Sequence, residues 1–187
     1  GIIGVFGQID ETVDIPEEKD IYHTGVLGRV AKILQLPDGN HTAFIQGFCR
    51  IHLIEAHQSG PYLLGKVEEY PEIVPTEDNR EFIAAIEACK DITDKFIQRG
   101  EGMRLDNSFK VHDTQSRVFF VNFICGCLPL ANSEHLMLLE ESDIHQRAVK
   151  LLNFLNREYQ FAMLKANIQM QTHEDLNRQQ REYFLKK

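Results

Sequence analysis

Two cysteines are the residues of this chain most suited to redox or metal chemistry. Cys125 and Cys127 are separated by one glycine and lie in the most apolar stretch, from 118 to 128, and no second cysteine pair occurs in the sequence. Burial in apolar surroundings keeps a thiol protonated, and a structural zinc site needs four ligands. The pattern therefore predicts buried, inert thiols rather than a reactive centre.

The sequence contains no motif for nucleotide binding or for nucleophilic catalysis. It has no Gly-x-x-x-x-Gly-Lys-Ser/Thr loop to hold phosphates and no His-Glu-x-x-His pair to hold zinc. A serine nucleophile needs a base held beside it. The candidate serines instead lie in turn or helix-cap contexts, where a hydroxyl bonds locally; they are Ser59, Ser108, Ser116, Ser133 and Ser142. We therefore predict no catalytic site, no metal site and no cofactor in this chain.

The composition is that of a soluble globular chain with an acidic balance. The 187 residues carry 20 Lys and Arg against 28 Asp and Glu, a formal charge of −8, and 43% of them are apolar. Because no basic cluster is present to neutralise phosphates, nucleic acid is not expected as the main partner. No stretch approaches the roughly 18 apolar residues that span a bilayer. Four unevenly spaced cysteines favour reduced thiols, and we predict a cytoplasmic protein without a membrane partner.

Residues 1–74 have the spacing of a small antiparallel β domain. Apolar runs near 2–6, 26–36, 42–55 and 62–70 alternate with turn residues. The sequence Pro37-Asp38-Gly39-Asn40 between the second and third runs predicts a hairpin, because proline presets its own φ and glycine accepts a positive one. Gly47 interrupts the third run and indicates a bulge or a sharp bend.

Residues 75–187 change to the 3.6-residue spacing of helices and form the predicted helical subdomain. Thr76 is the expected N-cap of the first helix. The apolar run over 118–128 is expected to be a buried helix that stops before Pro129. A short helix over 135–140 follows, with Asn132 or Ser133 as its expected cap.

A long linker helix is expected over 142–187, with Ser142 as its cap. Apolar positions between 148 and 166 fall close to heptad spacing, whereas beyond Met170 the same positions become polar. We therefore predict a first half packed on the helical bundle and a second half exposed to solvent or to a neighbouring subunit. The last residues still favour helix, so the helix is expected to continue toward a further module.

Six short segments, taken in order, carry a family resemblance. They are Ile3-Gly4-Val5-Phe6-Gly7-Gln8, the segment 21–30 from Ile-Tyr-His to Gly-Arg-Val, Leu36-Pro37-Asp38-Gly39, Gly47-Phe48-Cys49-Arg50-Ile51, the segment 61–68 from Pro-Tyr-Leu to Lys-Val-Glu, and Gln179-Gln180-Arg181-Glu182-Tyr183-Phe184-Leu185. Together they resemble the N-terminal region of the ATP-dependent protease Lon family. Between 76 and 116 only the helical pattern agrees.

The resemblance implies both a fold and a role. The fold is α+β: a PUA-like antiparallel β domain over 1–74, without the family's opening strand and helix, then a helical bundle over 75–187 whose linker helix leads to an ATPase module. The role is to recognise unfolded or tagged protein substrates and to support assembly of a hexamer with other Lon subunits. ATP, Mg²⁺ and the serine-lysine chemistry of an ATP-dependent serine endopeptidase belong to the parent enzyme, outside this chain.

A receptor for unfolded chains needs exposed apolar surface. Candidate substrate contacts in the β half are Phe48, Tyr62, Leu63 and Leu64, and those on the long helix are Met163 and Met170. The alternative for the β residues is burial in the core, where apolar side chains of a small β domain more often lie. For the methionines the alternative is gap filling between helices.

Three other functions remain as alternatives at the level of the sequence. A stand-alone PUA-like adaptor that binds a ligand or partner would have no reason to carry the Gln-Gln-Arg-Glu-Tyr-Phe-Leu helix. RNA binding through a PUA-like face is disfavoured by the acidic charge. An enzyme in its own right is disfavoured by the absence of catalytic motifs.

Overall fold

A computed structural model describes residues 1–59, 61–100, 102–105, 110–111 and 116–185. The chain forms strands β1 (Ile2–Gln8), β2 (Ile21–Gln35), β3 (His41–Ser59) and β4 (Tyr62–Glu69), with a 3₁₀ turn at Glu18–Asp20. Helices α1 (Arg80–Arg99), α2 (Arg117–Cys127), α3 (Asn132–Glu140) and α4 (Ile144–Leu185) follow. Within the described part of the chain, no helix is long and apolar enough to cross a membrane.

The four strands form one antiparallel sheet in the order β1-β2-β3-β4. The predicted hairpin joins β2 to β3: the Leu36 N–H donates to the Asn40 carbonyl at 2.7 Å, and Gly39 has φ +86°. Asp38 fixes the turn because its carboxylate accepts from the Asn40 N–H at 3.0 Å. The predicted bulge is also confirmed, since the register of β2 and β3 shifts where Leu27 pairs with Cys49 and Gly28 with Gly47.

Contacts divide the chain into two compact units in a way that the sequence did not predict. The first, called here the sheet unit, comprises Gly1–Pro75 and Leu130–Ile144, and the second, the helical unit, comprises Thr76–Pro129 and His145–Lys187. The sequence prediction placed all of 75–187 in the helical half, so α3 is reassigned to the sheet unit. Short backbone bonds explain this return: Ile73 N–H donates to the Ser142 carbonyl at 2.8 Å, and Ile144 N–H to the Ile73 carbonyl at 3.0 Å.

The helical unit begins with a capped helix, although the cap is not the predicted one. Asn79 caps α1, because its side chain accepts from the Phe82 N–H at 2.9 Å. The predicted N-cap at Thr76 is therefore wrong by three residues. The helix ends at Arg99 and is followed by Gly100, whose φ of +69° suits a residue without a Cβ. At the start of α2, the Ser116 hydroxyl accepts from the Phe119 N–H at 3.2 Å.

Helix α2 buries one face rather than its whole surface. Phe120, Val121 and Ile124 have no exposed surface, whereas Phe119 and Phe123 are 55% and 37% exposed. The two exposed rings stack on each other, with centroids 5.6 Å apart. The prediction of a buried helix over 118–128 is thus corrected to a helix with one buried face.

Helix α4 is buried only along its first half. It starts at Ile144, so the predicted start at Ser142 is two residues early. Ala148, Leu151 and Leu155 have no exposed surface. Every position from 167 to 183 is exposed, and the buried stripe therefore ends near Ala166, as the thinning of the apolar pattern predicts.

Candidate functional site

Phe48 lies at the bulge of β3 and faces outward. It is the extra residue between the Cys49 and Gly47 pairings, so it has no partner position on β2. Its side chain is 49% exposed, and the guanidinium of Arg29 lies over its ring at 5.5 Å. A bulge redirects a side chain away from the regular alternation of a strand. The alternative interpretation of the sequence, in which Phe48 is buried in the core, is therefore wrong.

The candidates on β4 lie at the start of an edge strand. Tyr62 and Leu64 are 62% and 45% exposed, and they stand opposite Ser59 and His57 of β3. Leu63 between them is half-buried. Because β4 is the last strand of the sheet, its residues have neighbours on one side only. The core alternative is thus wrong for Tyr62 and Leu64 as well.

Leu63 lines a surface groove of the sheet unit with a volume of about 470 Å³. Ala56 and His57 of β3 lie beside it, His23 comes from β2, and the 3₁₀ turn supplies an acidic rim; the rim residues are Glu17, Glu18 and Lys19. Sequence reasoning missed this rim. The available signal was the acidic run over 10–20, which holds six carboxylates and one lysine, but only the folded sheet brings that run beside β3 and β4.

The two methionine candidates lie on α4 beside the end of α1. Arg99 Nη1 donates to the Met163 thioether at 3.7 Å. Met170, which is 63% exposed, lines a second groove of about 540 Å³ together with Arg99 and His173. The structure thus places Met163 and Met170 near the same guanidinium, at the point where the buried stripe of α4 ends. The β candidates lie in the sheet unit, so the six candidates are divided between the two units.

The thiols are placed for structure rather than for reaction. Burial raises the pKa of Cys89 and of Cys125 to about 12 each, and burial also raises the pKa of Cys127. A protonated thiol is a poor nucleophile and a poor metal ligand. Among the residues that the structure describes, no three or more His, Cys, Asp or Glu side chains are grouped to hold a metal ion.

Comparison with known proteins identifies the family. The model of the ATP-dependent protease La (LON) substrate-binding domain matches residues 1–157. The chain belongs to this family. The Lon protease of Parabacteroides distasonis is 40% identical over 184 residues, which cover 98% of this chain and 22% of that protein. The Lon protease of Flavobacterium johnsoniae is 33% identical over 184 residues, with the same coverage of 98% and 22%.

The fold agrees with this assignment. The N-terminal domain of the Mycobacterium avium complex Lon protease superimposes with a TM-score of 0.62 at 16% identity, over 83% of this chain and 90% of that one. The expected α+β fold, a curled antiparallel sheet followed by helices with one long C-terminal helix, is therefore confirmed. The chain spans about a fifth of the length of these Lon relatives (22%). It is a Lon substrate-binding domain, and its homologues are proteases.

Proposed function

We propose that this Lon substrate-binding domain holds unfolded or tagged protein segments for an ATP-dependent serine protease in the cytoplasm. Hydrolysis of ATP with Mg²⁺, and peptide cleavage by a serine-lysine pair, belong to parts of the parent enzyme outside this chain. The chain's own contribution is recognition. Its sequence has no phosphate-binding loop, which agrees with a division of labour between binding and catalysis.

One observation carries the proposal: the sheet unit exposes apolar side chains that a purely structural β domain would bury. Phe48, Tyr62 and Leu64 are between 45% and 62% exposed. Tyr62 and Leu64 lie two residues apart on β4 and so share one face of the edge strand, whereas Phe48 lies nine residues along β3 from His57, the partner of Leu64, about 30 Å away. An exposed apolar patch such as that of Tyr62 and Leu64 can mark a binding site. An unfolded segment offers apolar side chains and free backbone groups, and an edge strand such as β4 can pair with both.

The alternatives have less support. A stand-alone PUA-like adaptor would not need α4, yet the match to the Parabacteroides distasonis Lon protease covers 98% of this chain and continues as part of a much longer protein. RNA binding by the sheet unit is opposed by charge. That unit carries 15 Asp and Glu against 5 Lys and Arg, a formal charge of −10, which repels phosphates.

Binding of one protein in two states tests the proposal. A globular protein that has been reduced and alkylated should bind the 187-residue chain, while its native form should not. Leu64→Ala should weaken binding several-fold because it removes an exposed apolar contact. Leu164→Ala is the matched control, since Leu164 is similarly exposed (57% against 45%) but lies on α4. Anisotropy of a labelled unfolded protein gives both affinities.

Equal binding of the native and unfolded forms would contradict the proposal, as would equal effects of the two substitutions. The same two substitutions made in the full-length protease show whether the exposed apolar residues of the sheet unit bind substrate there or are covered by other parts of the polypeptide. If Leu64→Ala slows degradation of the unfolded protein without changing ATP hydrolysis in the absence of substrate, the face is open in the whole enzyme.

We also propose that contacts between subunits use the second half of α4 rather than the sheet unit. Copies of a unit with a formal charge of −10 repel one another. Residues 167–187 instead hold three acidic and four basic side chains, and their exposed apolar residues include Ile168, Leu176 and Tyr183. Sedimentation at several concentrations, with and without residues 167–187, tests this. A tight oligomer that survives the deletion would place the interface elsewhere.

A further inference from the structure

The groove beside the 3₁₀ turn, called here the acidic groove, combines an apolar floor with a rim of two carboxylates and one lysine. Ala56 and Leu63 line its floor from adjacent strands, and Glu17 and Glu18 line one wall. All of these residues belong to the sheet unit. Its volume of about 470 Å³ falls within the range of about 300–1,000 Å³ that is typical of ligand pockets. It can therefore accept a few side chains of an extended segment.

The rim is held in place by backbone contacts. The Glu18 carboxylate accepts from the Ala56 N–H at 2.9 Å, which ties the turn to β3. The Asp20 carboxylate accepts from the Glu17 N–H at 2.9 Å, which fixes the turn itself. The groove therefore has a defined wall before any ligand arrives.

Glu17 is the carboxylate whose ion-pair partner can be replaced by a cation of a bound segment. It pairs with Lys19 at 3.0 Å, but both side chains are largely exposed, at 65% and 76%. Exposed ion pairs of this kind contribute little to stability. A lysine or arginine of a bound segment can thus replace Lys19 beside Glu17 at little cost, whereas a carboxylate on that segment would meet repulsion.

The charge of the whole unit acts in the same direction. The sheet unit has a formal charge of −10, and the helical unit, with 13 acidic and 15 basic side chains, has +2. A chain with a net charge of −8 therefore concentrates its negative potential on the unit that contains the groove. Such a potential attracts cationic partners and disfavours anionic ones.

We propose that the acidic groove selects unfolded segments in which an apolar residue is flanked by lysine or arginine. The apolar residue contacts Leu63 and Ala56, and the flanking cation pairs with Glu17. This inference rests on the proposed function and names the chemical class of segment that the domain prefers.

Three labelled peptides of equal length test the preference on the 187-residue chain. The first alternates apolar residues with lysine and arginine, the second has glutamate in place of the basic residues, and the third keeps the basic residues but has serine in place of the apolar ones. At low salt the first should bind about tenfold more tightly than either of the others. The advantage over the glutamate peptide should shrink in about 0.5 M salt, because salt screens exposed charges.

Two substitutions that change the charge equally distinguish binding in the groove from attraction by the overall charge of the sheet unit. Glu17→Lys reverses a rim charge. Glu68→Lys makes the same change on β4 five residues from Leu63, about 16 Å along the strand, and Glu68 does not line the groove. Glu17→Lys should weaken binding of the basic peptide about fivefold, and Glu68→Lys should weaken it less than twofold. Leu63→Ala should weaken the basic and the glutamate peptides by similar factors. Melting temperatures of the three variants show that each is folded.

Each outcome decides the inference. Equal effects of Glu17→Lys and Glu68→Lys would contradict selection by the groove, because the preference for basic peptides would then come from the overall charge. Equal affinity for the basic and glutamate peptides, in a chain that still binds the unfolded protein, would overturn the selectivity and leave the proposed function standing. Failure to bind any unfolded protein or peptide would remove the proposed function itself.

Discussion

Replacement of Arg50 should loosen the sheet unit more than any surface substitution. Arg50 is only 8% exposed. Its Nη1 donates to the carbonyls of Leu139 and Glu141 at 2.7 and 3.2 Å, and its Nη2 donates to the carbonyl of Pro71 at 3.1 Å. The guanidinium also lies over the ring of Tyr70 at 4.6 Å. One side chain thus joins β3, the segment after β4, and the end of α3.

The magnitude follows from these contacts. A hydrogen bond to a charged group contributes about 1.5–3 kcal/mol, so three bonds at the low end of that range give about 4.5 kcal/mol. The ring contact adds roughly 0.5–1 kcal/mol. Because the contributions of neighbouring contacts are not additive, we expect Arg50→Met to cost about 3–5 kcal/mol. Arg50→Lys should cost less but still more than about 1 kcal/mol, since a single ammonium lacks the fork of donors.

Chemical denaturation measures the total cost, and amide hydrogen exchange locates it. The Ile73 amide bonds to the Ser142 carbonyl and the Ile144 amide to the Ile73 carbonyl, next to the backbone that Arg50 contacts. Both amides should exchange faster in Arg50→Met, while the exchange rates of amides around Leu155 in the helical unit should not change. Arg29→Met is the matched control, because Arg29 is exposed and only covers the ring of Phe48. Equal stabilities of the two variants, or unchanged exchange at Ile73, would refute the reasoning.

Four further predictions follow from burial and from the absence of catalytic motifs. Leu155→Ala should lower the free energy of unfolding by about 2–5 kcal/mol because it leaves a cavity, whereas Leu164→Ala, at a position that is 57% exposed, should change it by less than about 0.5 kcal/mol; denaturation curves compare them. Burial raises the pKa of Cys89 and Cys125 to about 12 each, so alkylation near pH 8 should label them only on unfolding, as mass spectrometry can show. Amides in the second half of α4 should exchange faster than those around Leu155, and Gln180→Gly should hardly move the melting temperature; slow exchange there would show that this half is packed. The purified chain should hydrolyse neither ATP nor unfolded protein, and turnover that survives further purification would contradict the assignment of catalysis to other domains.

Features encoded by neighbouring residues could be predicted from the sequence. The hairpin at Pro37–Asn40 and the bulge at Gly47 depend on backbone preferences of single residues, and both are present. The exposed second half of α4 follows from its loss of apolar periodicity. The cap of α1 was misplaced because Thr76 and Asn79 are both good cap residues, and periodicity fixes helix boundaries only loosely.

Features that depend on distant residues could not be predicted. Arg50 bonds to carbonyls 89 and 91 residues away, and together with the backbone bonds of Ile73 this contact holds the end of α3 in the sheet unit. For the candidate site, the sequence shows that Phe48 and Leu64 are apolar. Strand alternation shows which residues share a face of the sheet, but it does not show which face is covered. The acidic groove was missed for the same reason, because its rim and its floor lie on separate elements.

Ionic strength offers a way to separate the two proposed roles of this domain. Selection of basic segments depends on exposed charges such as that of Glu17, so it should weaken as salt screens them. Association through the second half of α4 depends on exposed apolar residues such as Ile168 and Leu176, so it should not weaken, and screening of the −10 charge on each sheet unit should favour it. Opposite responses of peptide binding and self-association to added salt are therefore expected. If both declined together, charge rather than apolar contact would hold the subunits, and the assignment of that contact to α4 would lose its physical basis.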